Sequence, residues 1–551
     1  MIRTFKTHVI RPQQELSGLW QFAAGEAAPF PVAVPSCWET YPGYASYRGK
    51  AVYSREISAE GNIRLIFEGV SHTADVYLDG EKIAHHYNAF TSFDAIYPSA
   101  AAGDHLLEVH VSNEFSEASS LHVPNDYYSY GGISRPAALE IVPDVYIEWL
   151  HMTPVLTDAH WSLQTEVCLR NIGTEPHTAS VNVSLELGGC SWDPVTVAAG
   201  ERVRLSNTIN CSNAVPYFPD NPVLYLVTAT LSLDGGNPCD DLIERIGFRE
   251  IKVSGKDILF NGRPIQIRGF CRHEDHPLFG CALPLPAMDY DLNLFADTGA
   301  NAVRMSHYPN DSLFLDLCDE KGFFVWEENH ARGFSEDMMR NPNFDRQCAD
   351  CIDEMIRDHF NHPSIIIWGI LNECASETEY GRGCYERQFR QIKALDPSRP
   401  TSFASCKHYK DICFDLPDIV SMNIYPLWYH DAPVKEYLDD LYNWIQTTEG
   451  AGKPFLITEI GAGAVYGMRS PNMDKWTEEY QEYALSEQIQ AVLGKEGCSG
   501  IFIWQFCDVR VSREWFKTRP RSLNNKGIVD EYRRPKLAYQ TVRKLFRELK
   551  K

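Results

Sequence analysis

The sequence is poor in basic residues and contains no long apolar run. Its 551 residues include 51 Lys and Arg against 74 Asp and Glu, a formal net charge of −23. Because phosphate-binding surfaces need clustered Lys and Arg, this balance argues against nucleic acid as a partner. No stretch approaches the roughly 18 apolar residues of a membrane span, and the first residues contain no apolar segment of a signal peptide. The sequence therefore predicts a cytoplasmic protein with no membrane partner.

The sequence also lacks clustered cysteines and metal-binding spacings. Its 16 cysteines are scattered, as buried thiols usually are, and do not form the framework of a short secreted domain. Cys348 and Cys351 form a C-x-x-C, but no second pair lies nearby and the surrounding pattern is helical. The run at 273–276, His-Glu-Asp-His, lacks the helical H-E-x-x-H spacing, and adjacent side chains in an extended loop point in different directions. We therefore expect neither a metal nor an organic cofactor.

The N-terminal half of the chain contains strand patterns only. At 551 residues the chain is too long for one compact core. In residues 1–145, short runs alternate apolar and polar positions, and Asp79-Gly80 between two runs predicts a hairpin turn. This part predicts an antiparallel jelly roll. Residues 146–250 again show only strands, over a length that fits an immunoglobulin-like β-sandwich, which we interpret as a spacer.

Residues 251–551 change to an alternation of strands and helices. The predicted strands are 263–270, 301–306, 323–328, 364–373, 401–405, 418–425, 454–461 and 500–506, with helices such as 289–298, 345–360 and 486–493 between them. Eight strands that alternate with helices over about 300 residues predict a (β/α)8 barrel. Active sites of such barrels lie at the carboxyl ends of the strands, so side chains at these ends are candidate functional residues.

Two glutamates stand at such ends. Glu373 closes the fourth predicted strand and Glu459 closes the seventh, so we expect both at the barrel mouth, across it from each other. A carboxylate at the exposed end of a buried strand is rigidly held, whereas one inside the run would be desolvated at a high cost. Such a pair is typical of a retaining glycosidase, in which an acid/base and a nucleophile stand about 5–5.5 Å apart. The alternative is that the two glutamates only cap or salt-bridge the strand ends.

Four motifs in the barrel region point to one family. They are Phe260-Asn-Gly-Arg-Pro-Ile-Gln-Ile-Arg-Gly-Phe-Cys-Arg-His-Glu-Asp, Asn301-Ala-Val-Arg-Met-Ser-His-Tyr-Pro, Asn361-His-Pro-Ser-Ile-Ile-Ile-Trp-Gly-Ile-Leu-Asn-Glu and the strand that contains Glu459. Their order resembles glycoside hydrolase family 2, whose members carry a jelly-roll domain, an immunoglobulin-like domain and a catalytic barrel. The resemblance covers nearly the whole chain. It implies that Glu373, preceded by Asn372, is the acid/base and that Glu459 is the nucleophile of a double displacement.

The same resemblance implies further pocket residues. Tyr425, at the end of the sixth strand, is expected to donate a hydrogen bond to Glu459, because a phenol can donate to a carboxylate without taking its charge. Trp504, at the end of the eighth strand, offers an apolar face to the C–H groups of a sugar. Other expected pocket residues are Tyr429, His273 and His307. For any one aromatic alone, ordinary core packing is the simpler interpretation.

The expected substrate class depends on residues outside the glutamate pair. Asn524 and Lys526 resemble the Asn-x-Lys element with which the β-glucuronidases of the family hold the C6 carboxylate of a uronic acid. A carboxylate gains a charge-assisted hydrogen bond from a buried ammonium, whereas a neutral CH2OH gains little. Asp126 matches an aspartate that reaches from the jelly roll to the sugar hydroxyls. The alternatives are a turn with a solvated lysine and an Asx turn at a strand boundary.

Arg332 departs from the β-glucuronidase pattern, which has small or apolar residues at this position. A guanidinium near the barrel mouth could contact a carboxylate or an axial hydroxyl. That would suit a galacturonide as well as a glucuronide, because the two differ only at C4. The alternative is a structural ion pair of Arg332 with Glu327, Glu328 or Glu336.

The sequence thus predicts a retaining exo-β-hexuronidase that removes a terminal β-linked glucuronic or galacturonic acid. A β-galactosidase of the same family and a non-catalytic carbohydrate-binding protein are the alternatives. The connection from residue 333 to 345 is short, which indicates an open leaving-group side, so the substrate could be a small molecule or an oligosaccharide. Related enzymes often form dimers or tetramers, but no heptad or exposed apolar helix indicates an interface.

Overall fold

The computed structural model describes residues 2–549 and begins with an antiparallel sheet domain. The strands of this first part are Gln13–Glu15 (β1), Gly18–Ala24 (β2), Phe30–Val34 (β3), Lys50–Phe67 (β4), Val70–Ser71 (β5), Thr73–Leu78 (β6), Glu81–Tyr87 (β7), Phe93–Ser112 (β8), Gly132–Ile133 (β9) and Ala137–Val142 (β10). Its main sheet has the order β1-β10-β4-β8-β6-β7, with β2 beside β4 and β3 beside β2. Asp79 and Gly80 connect β6 to β7 with φ of 51° and 82°, so the predicted hairpin is confirmed.

Two smaller sheets form the second part. Its strands are Val145–Thr157 (β11), His160–Asn171 (β12), His177–Leu185 (β13), Gly188–Ser191 (β14), Val195–Val197 (β15), Arg202–Asn210 (β16), Tyr225–Leu233 (β17) and Pro238–Ile246 (β18). One sheet has the order β11-β12-β16, and the other has β14-β13-β17-β18 with β15 beside β13. Alternate apolar side chains of both sheets, such as Leu163 and Val227, form one buried core between them. This packing is that of an immunoglobulin-like sandwich.

The third part is a closed barrel of eight parallel strands, preceded by the short strands Ile251–Ser254 (β19), Asp257–Phe260 (β20) and Arg263–Pro264 (β21). The barrel strands are Ile267–Arg272 (β22), Ala302–Met305 (β23), Phe324–Glu328 (β24), Ile365–Ile370 (β25), Thr401–Ser405 (β26), Ile419–Asn423 (β27), Phe455–Ile460 (β28) and Cys498–Ile503 (β29). The helices are Leu285–Thr298 (α1), Ser312–Lys321 (α2), Glu336–Met339 (α3), Phe344–His359 (α4), Glu379–Leu395 (α5), Val434–Ile445 (α6), Glu478–Gly494 (α7) and Leu537–Glu548 (α8). The pair Val509–Arg510 (β30) and Leu523–Asn524 (β31) follows the barrel.

The predicted fold class, a jelly roll, an immunoglobulin-like sandwich and a (β/α)8 barrel, is confirmed. The domain limits 1–145, 146–250 and 251–551 stay predictions. The first barrel strand begins at Ile267, later than predicted, because Arg263 and Pro264 instead pair with β20 in a hairpin. Across residues 2–549, no helix combines the length and the apolar character that crossing a bilayer requires.

The jelly roll packs directly on the carboxyl end of the barrel. The buried Arg135 donates to Oε2 of Glu274 at 2.8 Å and to the carbonyl of Pro309 at 2.7 Å. The phenol of Tyr130 donates to Asp275 at 2.8 Å. Glu274 and Asp275 follow β22, and Pro309 follows β23, so these bonds hold the segment between β8 and β10 against the barrel mouth.

We predict that Arg135→Met destabilises the protein, because Glu274 then stays buried without its cation. Breaking a buried pair in this way costs about 3–5 kcal/mol. The expected result is a lower apparent melting temperature, measured by circular dichroism at a fixed scan rate. The matched control is Lys82→Met, which removes the cation of the exposed Lys82–Asp75 pair in the same domain and should shift the melting temperature little. Equal shifts for both variants would contradict the prediction.

Candidate active site

A cavity of about 460 Å³ lies at the carboxyl end of the barrel and contains both predicted glutamates. Glu459 is the next-to-last residue of β28, and Glu373 lies shortly after the end of β25. The chain leaves β25 through positive φ values of 46° at Leu371 and 55° at Glu373. Non-glycine residues adopt this left-handed region at a cost, and such residues cluster at functional sites.

Asn423 connects the two glutamates. It is the register partner of Glu459 on the neighbouring strand, and its Nδ2 donates to Oε1 of Glu373 at 3.0 Å. The same Nδ2 donates to Oδ1 of Asn372 at 3.0 Å, and its Oδ1 accepts from Thr458 at 2.8 Å. Asn423 thus links Glu373 to the strand pair that carries Glu459, and both glutamates line the same cavity.

Glu459 accepts hydrogen bonds from a cation and a phenol. Nη1 of Arg304 donates to Oε1 at 3.0 Å, and the phenol of Tyr425 donates to Oε2 at 2.6 Å. Burial and then the nearby charge of Glu373 raise the pKa of the Glu459 carboxyl to about 7, while Arg304 and Tyr425 oppose the rise. The predicted contact between Tyr425 and Glu459 is present.

Arg304 lies at the centre of the buried polar network. Its guanidinium, fully buried on β23, donates twice to Glu328 at 2.9 and 3.0 Å and once to Oδ1 of Asn372 at 2.8 Å. Another bond reaches the carbonyl of Thr458 at 3.2 Å. The sequence analysis quoted Arg304 in a motif but assigned it no role. An arginine inside a short, otherwise apolar strand is the signal that could have found it, because Arg is rarely fully buried without partners.

Cations and Asp126 form a second polar cluster at the cavity. Nη2 of Arg332 lies 3.4 Å from Oδ1 of Asp126, and Nη2 of Arg519 donates to its Oδ2 at 3.1 Å. Nδ2 of Asn524 donates to the same Oδ2 at 3.2 Å. Burial raises the pKa of Asp126, but Arg332, Arg519 and Lys526 outweigh it and hold this pKa below its ordinary value. The jelly roll therefore contributes a side chain to the cavity.

Lys526 is a nearly buried cation at this end, 2% exposed. Its Nζ donates to the phenol of Tyr429 at 3.0 Å and lies 5.7 Å from the ring centre of Tyr425 and 5.8 Å from that of Trp428. Although burial raises the pKa of Tyr429, the Lys526 ammonium lowers it below its ordinary value. Within residues 2–549, no carboxylate forms an ion pair with Lys526. Asp126 is near enough for the Lys526 charge to lower its pKa, but no described carboxylate contacts the ammonium, which is therefore suited to binding an anion.

Arg332 does not form the structural ion pair that the sequence left open. Besides Asp126, its Nη1 donates to Oδ1 of Asn125 at 3.1 Å, and its Nη2 lies 3.7 Å from Oε2 of Glu373. The three glutamates of the alternative bond other side chains: Glu327 pairs with His359, Glu328 with Arg304, and Glu336 with Arg340. That alternative is therefore wrong, because Arg332 points into the cavity rather than back along its own segment.

The predicted site residues divide into those that line the cavity and those that lie behind its lining. The cavity-lining group is Asp126, Arg332, Glu373, Tyr425, Tyr429, Glu459, Trp504 and Lys526. The group behind the lining is His273, His307, Asn372 and Asn524. The ring of His307 stacks on Trp504 at 5.0 Å, and its Nδ1 lies 2.9 Å from Glu328. His273 contacts Trp504 edge-on at 5.4 Å, so both histidines support the tryptophan from behind.

Several lining residues were not predicted. They are Asn423, Arg519, Trp515, Glu377, Cys406, Lys407, His408, Lys410 and His430. The ring of Trp515 lies near the guanidiniums of Arg332 and Arg519. Most of the unpredicted residues stand on loops with no period of two or 3.6, so the sequence pattern carries no signal for them.

A separate group of possible metal ligands lies outside this cavity. Within the described residues, Asp316, Asp319 and His362 come close enough together to hold a cation. Arg3 and Arg245 already bind Asp316, at 2.7 and 3.3 Å. The run at 273–276 forms no such group, and Cys348 and Cys351 are buried free thiols on α4.

Comparisons with known proteins agree with this geometry. The family model described as the TIM barrel domain of glycosyl hydrolases family 2 matches residues 251–551. The models described as galactose-binding domain-like and as glycosyl hydrolases family 2 match residues 43–140 and 145–249. The chain is 26% identical to β-glucuronidases of Canis lupus familiaris, over 98% of the chain and 91% of the relative, and of Streptococcus agalactiae, over 97% and 96%.

Solved structures give the same result at higher identity. A family 2 β-galacturonidase from Eisenbergiella tayi, bound to galacturonate, is 57% identical and superposes with a TM-score of 0.97, over 100% of this chain and 99% of that one. The same identity and TM-score hold for its complex with glycerol. The chain therefore belongs to glycoside hydrolase family 2, is similar to its β-glucuronidases and β-galacturonidases, and is a glycosidase.

Proposed function

We propose that this glycosidase hydrolyses terminal β-linked hexuronic acids, with β-D-galacturonides preferred over β-D-glucuronides. The observation that carries the proposal is Lys526, whose buried ammonium has no carboxylate partner among residues 2–549. The C6 carboxylate of a uronic acid would supply the missing charge through a charge-assisted hydrogen bond. A neutral CH2OH would leave the ammonium unpaired, which argues against the β-galactosidase alternative.

The proposed reaction is a double displacement. The carboxylate of Glu459 attacks the anomeric carbon while Glu373 gives its proton to the glycosidic oxygen, so a glycosyl-enzyme ester forms and an alcohol leaves. Water then attacks the anomeric carbon, Glu373 takes its proton, and Glu459 is released as a carboxylate. Arg304 and Tyr425 hold both oxygens of Glu459, which fixes the direction of its attack.

The preference for a galacturonide rests on Arg332 and on one relative. Arg332 lies between Asp126 and Glu373, where its planar group could donate to the axial hydroxyl at C4. The 57% identical β-galacturonidase that binds galacturonate supports this choice.

Two further expectations stay predictions: the cytoplasmic location, and a dimer or tetramer. The alternative of a non-catalytic carbohydrate-binding protein is not supported, because the chain belongs to a family of glycosidases.

We predict that Glu459→Gln and Glu373→Gln fail at different steps. Glu459→Gln should lower the release of phenolate from any aryl β-galacturonide by at least about 10⁴-fold, because no ester can form. Glu373→Gln should still release a burst of dinitrophenolate from the 2,4-dinitrophenyl glycoside, since this leaving group needs no proton. Stopped-flow absorbance measures both. Proton NMR of the wild-type reaction should show the β-anomer first, and a first-formed α-anomer would rule out double displacement.

The pH dependence of the first step should follow the ionisation of Glu459. Its pKa is raised to about 7, and only the carboxylate attacks, so the rate of dinitrophenolate release should fall as the pH drops below 7. Glu373→Gln removes the like charge that raises the pKa of Glu459. The fall in rate at acid pH should therefore occur at lower pH in this variant. Burst rates measured between pH 4 and 9 check this. A fall in rate at the same pH in the wild type and in Glu373→Gln would contradict it.

We predict that Lys526→Ala selectively impairs uronides. Loss of a charge-assisted hydrogen bond worth about 1.5–3 kcal/mol should lower kcat/KM for p-nitrophenyl β-galacturonide by roughly 10- to 150-fold. The corresponding β-galactoside, a poor substrate of the wild type, should change by less than about threefold. The control is Lys435→Ala, which removes an exposed lysine on α6. A wild type that prefers the galactoside by more than about tenfold would sink the uronide assignment.

A further inference from the structure

Beyond Glu373, the cavity is lined by side chains that the proposed mechanism does not use. They follow β25, β26 and β27 and are Glu377, Cys406, Lys407, His408, Lys410 and His430. The backbone N–H of Glu373 donates to the carbonyl of Ala404 at 2.9 Å, so Glu373 borders the loop that begins after β26. Because Glu373 is the group that gives its proton to the glycosidic oxygen, the leaving group lies on this side.

Glu377 and Lys407 form an ion pair with spare bonding capacity. Nζ of Lys407 lies 3.1 Å from Oε1 of Glu377, and both side chains are partly exposed. Oε2 of Glu377 is buried and has no hydrogen-bond partner among the described residues. Because the partly exposed side chain of Glu377 lines the cavity, a hydroxyl of a bound sugar could donate to its carboxylate.

Lys410 adds a positive charge to the same wall. This exposed residue lines the cavity, and within residues 2–549 no carboxylate forms an ion pair with its ammonium. With Glu377 already paired to Lys407, the Lys410 charge is unbalanced. An anion on the leaving group would therefore be attracted to Lys410.

The rest of this wall is aromatic but not aliphatic. Nε2 of His408 donates to the carbonyl of Asn423 at 3.1 Å, and its Nδ1 lies 2.5 Å from the phenol of Tyr437. Burial lowers the pKa of His408, which favours the neutral ring. The ring of His430 stacks on Tyr437 at 5.3 Å with an angle of 24°. These ring faces can contact the C–H groups of a sugar, whereas no aliphatic side chain lines this part of the cavity.

We propose that this wall is a subsite for an acidic sugar, so that the natural leaving group is a second saccharide that carries a carboxylate or a sulfate. Its anion pairs with Lys410, one of its hydroxyls donates to Glu377, and its ring lies against His408 and His430. The cavity, at about 460 Å³, falls in the range of about 300–1,000 Å³ that buries a drug-sized ligand. The inference rests on the proposed function, because it needs Glu373 to face the leaving group.

The test compares substrates that share a β-galacturonosyl group and differ in the leaving group. The leaving groups are galactose, galacturonate, galactose 6-sulfate and p-nitrophenol. In dilute buffer, kcat/KM for galacturonate or galactose 6-sulfate should exceed that for galactose by about fivefold or more, and the advantage should shrink in 0.5 M salt. The sulfate and carboxylate arms identify which anion the subsite prefers. Lys410→Ala should bring the acidic-to-neutral ratio near one, Lys410→Glu should reverse it, and Lys435→Ala should keep it.

Equal kcat/KM for acidic and neutral sugars in the wild type would overturn the subsite. So would Lys410 variants that lower all four substrates by the same factor, because the lysine would then be structural. The p-nitrophenyl substrate separates the two proposals. If it is hydrolysed while the acidic sugars show no advantage, the uronidase function stands and the subsite fails. If the wild type hydrolyses none of the four, the proposed function fails as well.

Discussion

The active site depends on one buried guanidinium. Arg304 stands on β23 and bonds Glu328 on β24, Asn372 after β25, and Thr458 and Glu459 on β28. Removing a guanidinium from water costs several kcal/mol, so its donors must be satisfied, and here they are satisfied by four residues at three places around the barrel. The positions of Glu459 and of Asn372, the residue before Glu373, are thus fixed by the same cation. This network lies inside the barrel, and a hydrogen bond from Asn423 extends the network to Glu373.

Domain packing determines the other half of the site. Asp126 comes from the jelly roll, and its carboxylate accepts from Arg519 and Asn524 of the barrel part and lies beside Arg332. The bonds of Arg135 and Tyr130 to the segments after β22 and β23 hold the jelly roll at this position. The first domain therefore completes the pocket, while the immunoglobulin-like sandwich contributes no residue to its lining.

The sequence predicted the fold and the central pair because these depend on local pattern. Eight apolar runs at regular spacing require eight buried strands, and a charged residue at the end of such a run, as at Glu373 and Glu459, must face the barrel mouth. Arg332 shows where this reasoning stops. The sequence offered Glu327, Glu328 and Glu336, all within a few residues, as ion-pair partners of Arg332. In the structure Arg332 lies beside Asp126, some 200 positions earlier in the chain. Arg519 and Asn423 were not predicted as site residues for the same reason. Periodicity indicates burial but not contacts between distant segments.

The cations around the cavity need partners of opposite charge, because an unpaired buried charge is costly. The structure meets this requirement by pairing. Arg304 has Glu328 as a second carboxylate partner, and Arg332 and Arg519 share Asp126. Lys526, on the same side of the cavity as Asp126, is the exception. Its ammonium lies among the rings of Tyr425, Tyr429 and Trp428. Under the proposed function, this charge is the one that a carboxylate of the substrate would pair with.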